Sequence, residues 1–130
     1  REFGDVISGV DFNFTAKLTS LNAVTIAAMA SAPPPPANTE ISGAVKASTT
    51  LKWQRPKGNM AKNLAGYRVH WRLTTEPTWT NSQYVGDVSE FKLKNIVIDN
   101  YFFGVSSVSK EGYESPVVFP GPAGSFGGYK

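Results

Sequence analysis

From residue 38 onward, apolar and polar residues alternate. Thr50-Leu51-Lys52-Trp53-Gln54, Tyr67-Arg68-Val69-His70-Trp71-Arg72 and Phe91-Lys92-Leu93-Lys94 each send every second side chain to one face, the period of a half-buried strand. Residues 40–46, 78–85, 101–109 and 116–119 are further β-rich stretches. Turn signals separate them at Lys57-Gly58-Asn59, Thr75-Glu76-Pro77, Gly86-Asp87, Asp99-Asn100 and Lys110-Glu111-Gly112. The pattern predicts a mainly β protein, a seven-stranded antiparallel sandwich preceded by one N-terminal α-helix. Alternation assigns Leu51, Trp53, Tyr67, Val69, Trp71, Tyr101, Phe103 and Val105 to its core and turns Arg68, His70 and Arg72 outward.

The first part of the chain has a different period. Phe14, Leu18, Leu21, Thr25, Ala28 and Met29 fall on one side of a helix over 14–30, with an alanine-rich end and Asp11 or Asn13 as its cap. Pro33-Pro34-Pro35-Pro36 ends it. Val24, Ile26 and Ala27 widen the apolar surface beyond one stripe, and Lys17 is the only charge between residues 14 and 30. Such a helix either packs on the domain that follows or belongs to a larger body that covers it on several sides. The prolines read as a stiff spacer of about 3.1 Å per residue in preference to a ligand for an aromatic groove. The expected organisation is a helical segment over 1–32, a linker over 33–37, the sandwich over 38–120 and a loose glycine-rich tail over 121–130.

Residues 18–39 carry no charge, but the prolines and Thr19, Ser20, Asn22, Thr25 and Ser31 argue against a membrane span. Lys17 and Ala30-Ser31-Ala32 mimic an export signal, yet Arg1, Glu2, Asp5 and Asp11 precede them, so any such signal is expected upstream.

Composition narrows the chemistry. The chain has 130 residues, 41% hydrophobic and 18% charged, enough for one domain and an appendage. Its net charge of +3 is too small to argue for nucleic acid. Without cysteine there is no disulfide, thiolate metal site or cysteine nucleophile, and His70 as sole histidine argues against a His-based zinc site or a Ser-His-Asp triad. Arg68, His70 and Arg72, with Lys52, form either a solvated face or a basic stripe for an acidic surface; flanking cations disfavour a metal there. Trp79, beyond the Glu76-Pro77 turn, either packs under the sheet edge or stacks a sugar. Inward Tyr67 and Trp71 remove the platform that single-stranded nucleic acid needs. Asp87, Glu90 and Asp99 are too scattered for a calcium site or an acid/base pair, and the 110–113 turn lacks Arg-Gly-Asp. These features favour a binding or structural module over an enzyme.

Leu51-Lys52-Trp53, Gly66-Tyr67-Arg68-Val69-His70-Trp71-Arg72 and Tyr101-Phe102-Phe103-Gly104-Val105-Ser106-Ser107-Val108 resemble the second, third and sixth strands of a fibronectin type III domain. The resemblance implies that Trp53 anchors the core and that Tyr101 is a corner tyrosine bonded to upstream backbone, although the usual Leu and Pro are shifted at Asn95-Ile96-Val97-Ile98. More narrowly, Lys17-Leu18-Thr19-Ser20-Leu21-Asn22-Ala23 and Ala32-Pro33-Pro34-Pro35, with Ala65-Gly66-Tyr67, Trp71-Arg72-Leu73-Thr74-Thr75 and Asp99-Asn100-Tyr101, are similar to the end of a secreted bacterial zinc aminopeptidase of peptidase family 28. That resemblance implies a non-catalytic accessory module attached to the last helix of the catalytic domain, with zinc held upstream and none in this chain. It also implies a secreted, periplasmic or extracellular location and the parent catalytic domain as partner. Leu18, Leu21, Val24, Ile26 and Met29 would mediate self-association when that domain is missing. No nucleic acid and no membrane insertion are expected. The alternative is a free-standing extracellular adhesion or carbohydrate-binding module.

Overall fold

In a computed structural model, which describes residues 6–44 and 46–121, the alternating segments pair as two three-stranded antiparallel sheets. The first sheet has the order β1 (Ala37–Ser42), β2 (Ser48–Gln54), β5 (Glu90–Lys94). The second has the order β4 (Asn81–Gly86), β3 (Leu64–Leu73), β6 (Tyr101–Ser109). In β2, Thr49, Leu51 and Trp53 point inward while Lys52 and Gln54 are exposed. Thr49, a buried polar residue, donates its hydroxyl to the Ile96 carbonyl at 2.7 Å and so ties down the turn after β5. Leu51, Trp53, Tyr67, Val69, Phe103 and Val105 share one buried cluster with Ile41, Leu64 and Leu93. Trp71 and Tyr101 pack on its rim, half-buried. Trp53 and Tyr67 meet edge to face at 5.3 Å, a geometry worth about 0.5–1.5 kcal/mol beyond burial.

Six strands form among the described residues, where seven were expected. The segment 114–121 does run beside β6, but it touches the ladder only at Val108–Glu114 and Val105–Val118. Between those bridges the segment advances four residues while β6 advances three, so one residue bulges out, and Pro116 in that gap has no N–H to donate. Val118 still exchanges two hydrogen bonds with Val105, at 2.9 and 3.0 Å. The segment then crosses to the first sheet, where Gly121 N–H donates to the Thr39 carbonyl at 2.9 Å. It is a strap that closes one side of the sandwich.

The corner predicted at Tyr101 does not form. Its ring lies 6.2 Å from Phe103, and its hydroxyl makes no hydrogen bond within the described residues. The turn before it follows another path: Asn95 adopts a φ of 59° and a short 3-10 helix covers Ile98–Asn100. The Leu and Pro that would set the usual corner are not at their places.

The helix α1 (Phe12–Ser31) starts two residues earlier than its period predicted. Of the two candidate caps, Asp11 accepts a hydrogen bond from Phe14 N–H at 3.0 Å. Two compact units divide the chain, Arg1–Ser31 and Ala32–Lys130. Within the second, Ala32 is 7% exposed and Pro33 and Pro36 are buried, while Pro34 is half-buried and Pro35 exposed, so the run expected as a stiff linker is packed in part. No described helix is long and apolar enough to cross a membrane. The tail expected over 121–130 lies, beyond Gly121, outside the described residues.

Candidate functional site

The outer face of the β4-β3-β6 sheet holds Arg68, His70 and Arg72, as alternation requires. The bland expectation of a solvated face is wrong for His70, which is 7% exposed. Its cover comes from two segments distant in sequence. His70 pairs across the ladder with Gly104, and a Cβ at Gly104 would overlap Val117 Cγ1 and lie 3.1 and 3.2 Å from carbons of the Trp79 ring. The missing side chain lets Trp79 and the strap settle onto the sheet. Glu76 holds the Trp79 loop: its carboxylate accepts from Leu73 N–H at 3.1 Å and Thr80 Oγ1 at 2.6 Å, while Arg72 donates to its carbonyl.

Beneath this cover lies a polar cluster. His70 Nε2 is 2.8 Å from Glu114 Oε1 and 2.9 Å from Ser106 Oγ, Ser106 Oγ donates to the same carboxylate oxygen at 2.6 Å, and Arg68 Nε lies 3.2 Å from Glu114 Oε2. Burial pushes the His70 pKa below its ordinary value, outweighing the opposite pull of the Glu114 carboxylate; Arg68 lowers it further. A neutral ring with its proton on Nε2 satisfies the geometry. Serine, histidine and glutamate are adjacent here but do not form a nucleophilic relay. A relay needs the carboxylate on one ring nitrogen and the serine on the other. Both partners meet Nε2, Ser106 donates its hydroxyl hydrogen bond to Glu114, and Ser106 is fully buried. The cluster joins β3, β6 and the strap.

Zinc does not fit this cluster. One imidazole and one carboxylate, each already bonded and with Arg68 alongside, fall short of three or four converging donors. Among the described residues no group of three or more His, Cys, Asp or Glu side chains could hold a metal.

Above the cluster, Trp79 is engaged on several sides. Its ring lies 5.7 Å from His70 and 5.2 Å from Phe119, and Arg72 stacks at 5.5 Å from Trp79 and 4.7 Å from Phe102. A sugar platform needs a free ring face. The basic stripe is also spent: Arg68 is paired, Arg72 is stacked, His70 is buried, and Lys52 pairs with Glu90 at 3.1 Å on the other sheet.

Among the described residues, two apolar openings escaped the sequence reasoning. One, of about 580 Å³, lies at one end of the sandwich among Ile41, Tyr101, Phe103, Phe119 and Pro120. The other, of about 410 Å³, opens along the side between β4 and β5.

The helix, taken by itself, has apolar residues on every side, with Leu18, Leu21, Val24 and Met29 toward one direction and Ile26 toward another. Four of its eight polar side chains bond to the helix's own backbone. Thr15, Ser20, Thr25 and Ser31 each donate a hydroxyl hydrogen bond to the carbonyl four residues back, at 2.8–2.9 Å.

No protein-family model matches the chain. It is 37% identical over 127 residues to a probable zinc metalloprotease of Pyrenophora tritici-repentis, covering 95% of this chain and 29% of that protein. It is 36% identical over 120 residues to a probable zinc metalloprotease of Pyricularia oryzae, covering 92% and 24%. The chain therefore spans less than a third of these fungal relatives. In fold it is similar to the fn3 domain of human collagen alpha-1(XX) chain, with a TM-score of 0.55 and 20% identity over 76% of this chain and 92% of that one. A titin module from human cardiac muscle matches with a TM-score of 0.52 and 24% identity over 65% and 84%. The sandwich has a fibronectin type III-like fold.

Proposed function

We propose that these residues are the non-catalytic C-terminal part of an exported zinc-dependent aminopeptidase. In this reading α1 is the last helix of the catalytic domain. The sandwich is an accessory module that packs against or orients that domain or its protein substrate, and zinc is held elsewhere in the parent protein.

The observation that carries the proposal is the helix surface. Each large aliphatic side chain on it gains about 1.5–3 kcal/mol on full burial. A helix apolar all round is normally an interior one, and interior hydroxyls must find partners. In α1 four of the five hydroxyls already have them in the helix backbone. Similarity to zinc metalloproteases over 95% of the chain, helix and sandwich together, supports the same reading. The free-standing alternative leaves the helix surface without a use and asks Trp79 for a ring face that His70, Phe119 and Arg72 already occupy.

The test is the reading frame upstream of Arg1 and the protein it encodes. The resemblance to zinc aminopeptidases implies a His-x-Asp and Glu-Glu ligand set there, and the longer protein should bind zinc and hydrolyse aminoacyl anilides while the 130-residue chain does neither. An upstream frame without such ligands, or stoichiometric zinc and turnover in the chain alone, would overturn the proposal.

A further inference from the structure

The two sides of the sandwich are closed differently. The strap 114–121 bridges the sheets on one side, whereas the other ends in two strand edges, β4 and β5, with no partner among the described residues. Between these edges the 410 Å³ opening exposes a floor of Trp71, Phe91, Leu93 and Ile96. Lys92 and Lys94 stand at its rim, and neither takes part in an ion pair among the described residues.

Edge lysines commonly act as guards against unwanted strand pairing. The same charges make the edge selective, because like charges across a strand pair repel and opposite ones attract. We infer that the free edge of β5 is a docking site for an extended peptide segment in which acidic residues alternate with large apolar ones. The pattern follows from β5 itself. Phe91 and Leu93 face inward and Lys92 and Lys94 outward, so a strand laid beside them sends alternate side chains into the opening and the others to the ammonium groups. Backbone N–H and C=O groups along β5 that find no partner among the described residues call for a peptide backbone, which neither a sugar nor a fatty acid supplies. The opening accommodates one or two leucine- or phenylalanine-sized groups.

This inference deepens the accessory-module reading by naming the chemistry such a module would hold. Its test is independent of that reading, since an upstream frame without zinc ligands would remove the parent assignment and leave the edge intact.

The probes are two short synthetic peptides, one alternating aspartate with leucine and phenylalanine, the other with lysine in place of each aspartate. Titrated into the isotope-labelled full chain, the acidic peptide should bind at least tenfold more tightly. It should shift the amides of Phe91, Lys92 and Leu93 and the Trp71 indole. The exposed double variant Lys92→Glu/Lys94→Glu, verified as folded by circular dichroism, should reverse the preference. Absence of binding to either peptide at millimolar concentration, equal binding of both, an unchanged preference in the variant, or shifts confined to β4 would each overturn the inference.

Discussion

Adding one methyl group at Gly104 tests whether the outer-face cover is real. The Gly104→Ala side chain would overlap Val117 Cγ1 and approach two Trp79 ring carbons at 3.1 and 3.2 Å. Neither neighbour retreats easily. Val117 is β-branched, and the adjacent Val118 is held by its two hydrogen bonds to Val105, while Trp79 is stacked by Arg72 and Phe119. Overpacking of this kind costs about 1–3 kcal/mol, and the stiffer unfolded chain of alanine offsets about 0.4–1 kcal/mol, leaving a net loss centred on about 1 kcal/mol. In a domain of this size the melting temperature should fall by about 4–8 °C by circular dichroism. A Val117→Ala background removes the principal clash, so the same substitution there should cost about 1 kcal/mol less, a coupling a double-mutant cycle resolves. A Gly104→Ala protein as stable as wild type, or an equal cost in both backgrounds, would refute the packing of strap and tryptophan on β6.

Tyr101→Phe should change stability by less than about 0.5 kcal/mol in urea unfolding, because the hydroxyl has no partner to lose among the described residues; a loss of about 1 kcal/mol or more would restore the corner. His70 supplies a pH dependence whose sign is fixed by its lowered pKa. With the unfolded ring protonating first, the unfolded state binds more protons, so stability is complete above pH 6.5 and declines as pH falls through the lowered folded value. Urea midpoints measured downward from pH 7.5 should show this decline in wild type and lack it in His70→Gln; equal slopes would remove His70 as its source. Deleting residues 1–31 should leave a monomeric sandwich with its melting transition intact, while the full chain self-associates through α1 in sedimentation velocity. A full chain that stays monomeric at all concentrations would count against exposed helix surface as the cause of association.

The inward set Leu51, Trp53, Tyr67 and Val69 was legible because a strand's period decides which face each residue takes, and large apolar residues on one face leave a single choice for the core. The same rule placed His70 on the opposite face correctly and its burial wrongly. Period two decides the face; what crosses that face is decided by Trp79 and the strap, 9 and more than 40 residues away in the chain. One local signal did exist. Gly104 interrupts a run of aromatic and β-branched residues, and glycine inside a strand weakens it unless something comes close enough to need the space. Opposite His70 in the ladder, that glycine marks where the tryptophan lies. Pro116 carried a comparable warning against a seventh regular strand, since a residue without N–H sits badly in a ladder. The helix was legible for the opposite reason: its period, cap and proline stop are all local. What its sequence left open was whether polar residues such as Ser20 and Thr25 mark a wet surface, and the structure turns both hydroxyls to the helix's own carbonyls. Without that detail their side chains argue for solvent exposure; with it, they are compatible with an interior position in a larger domain.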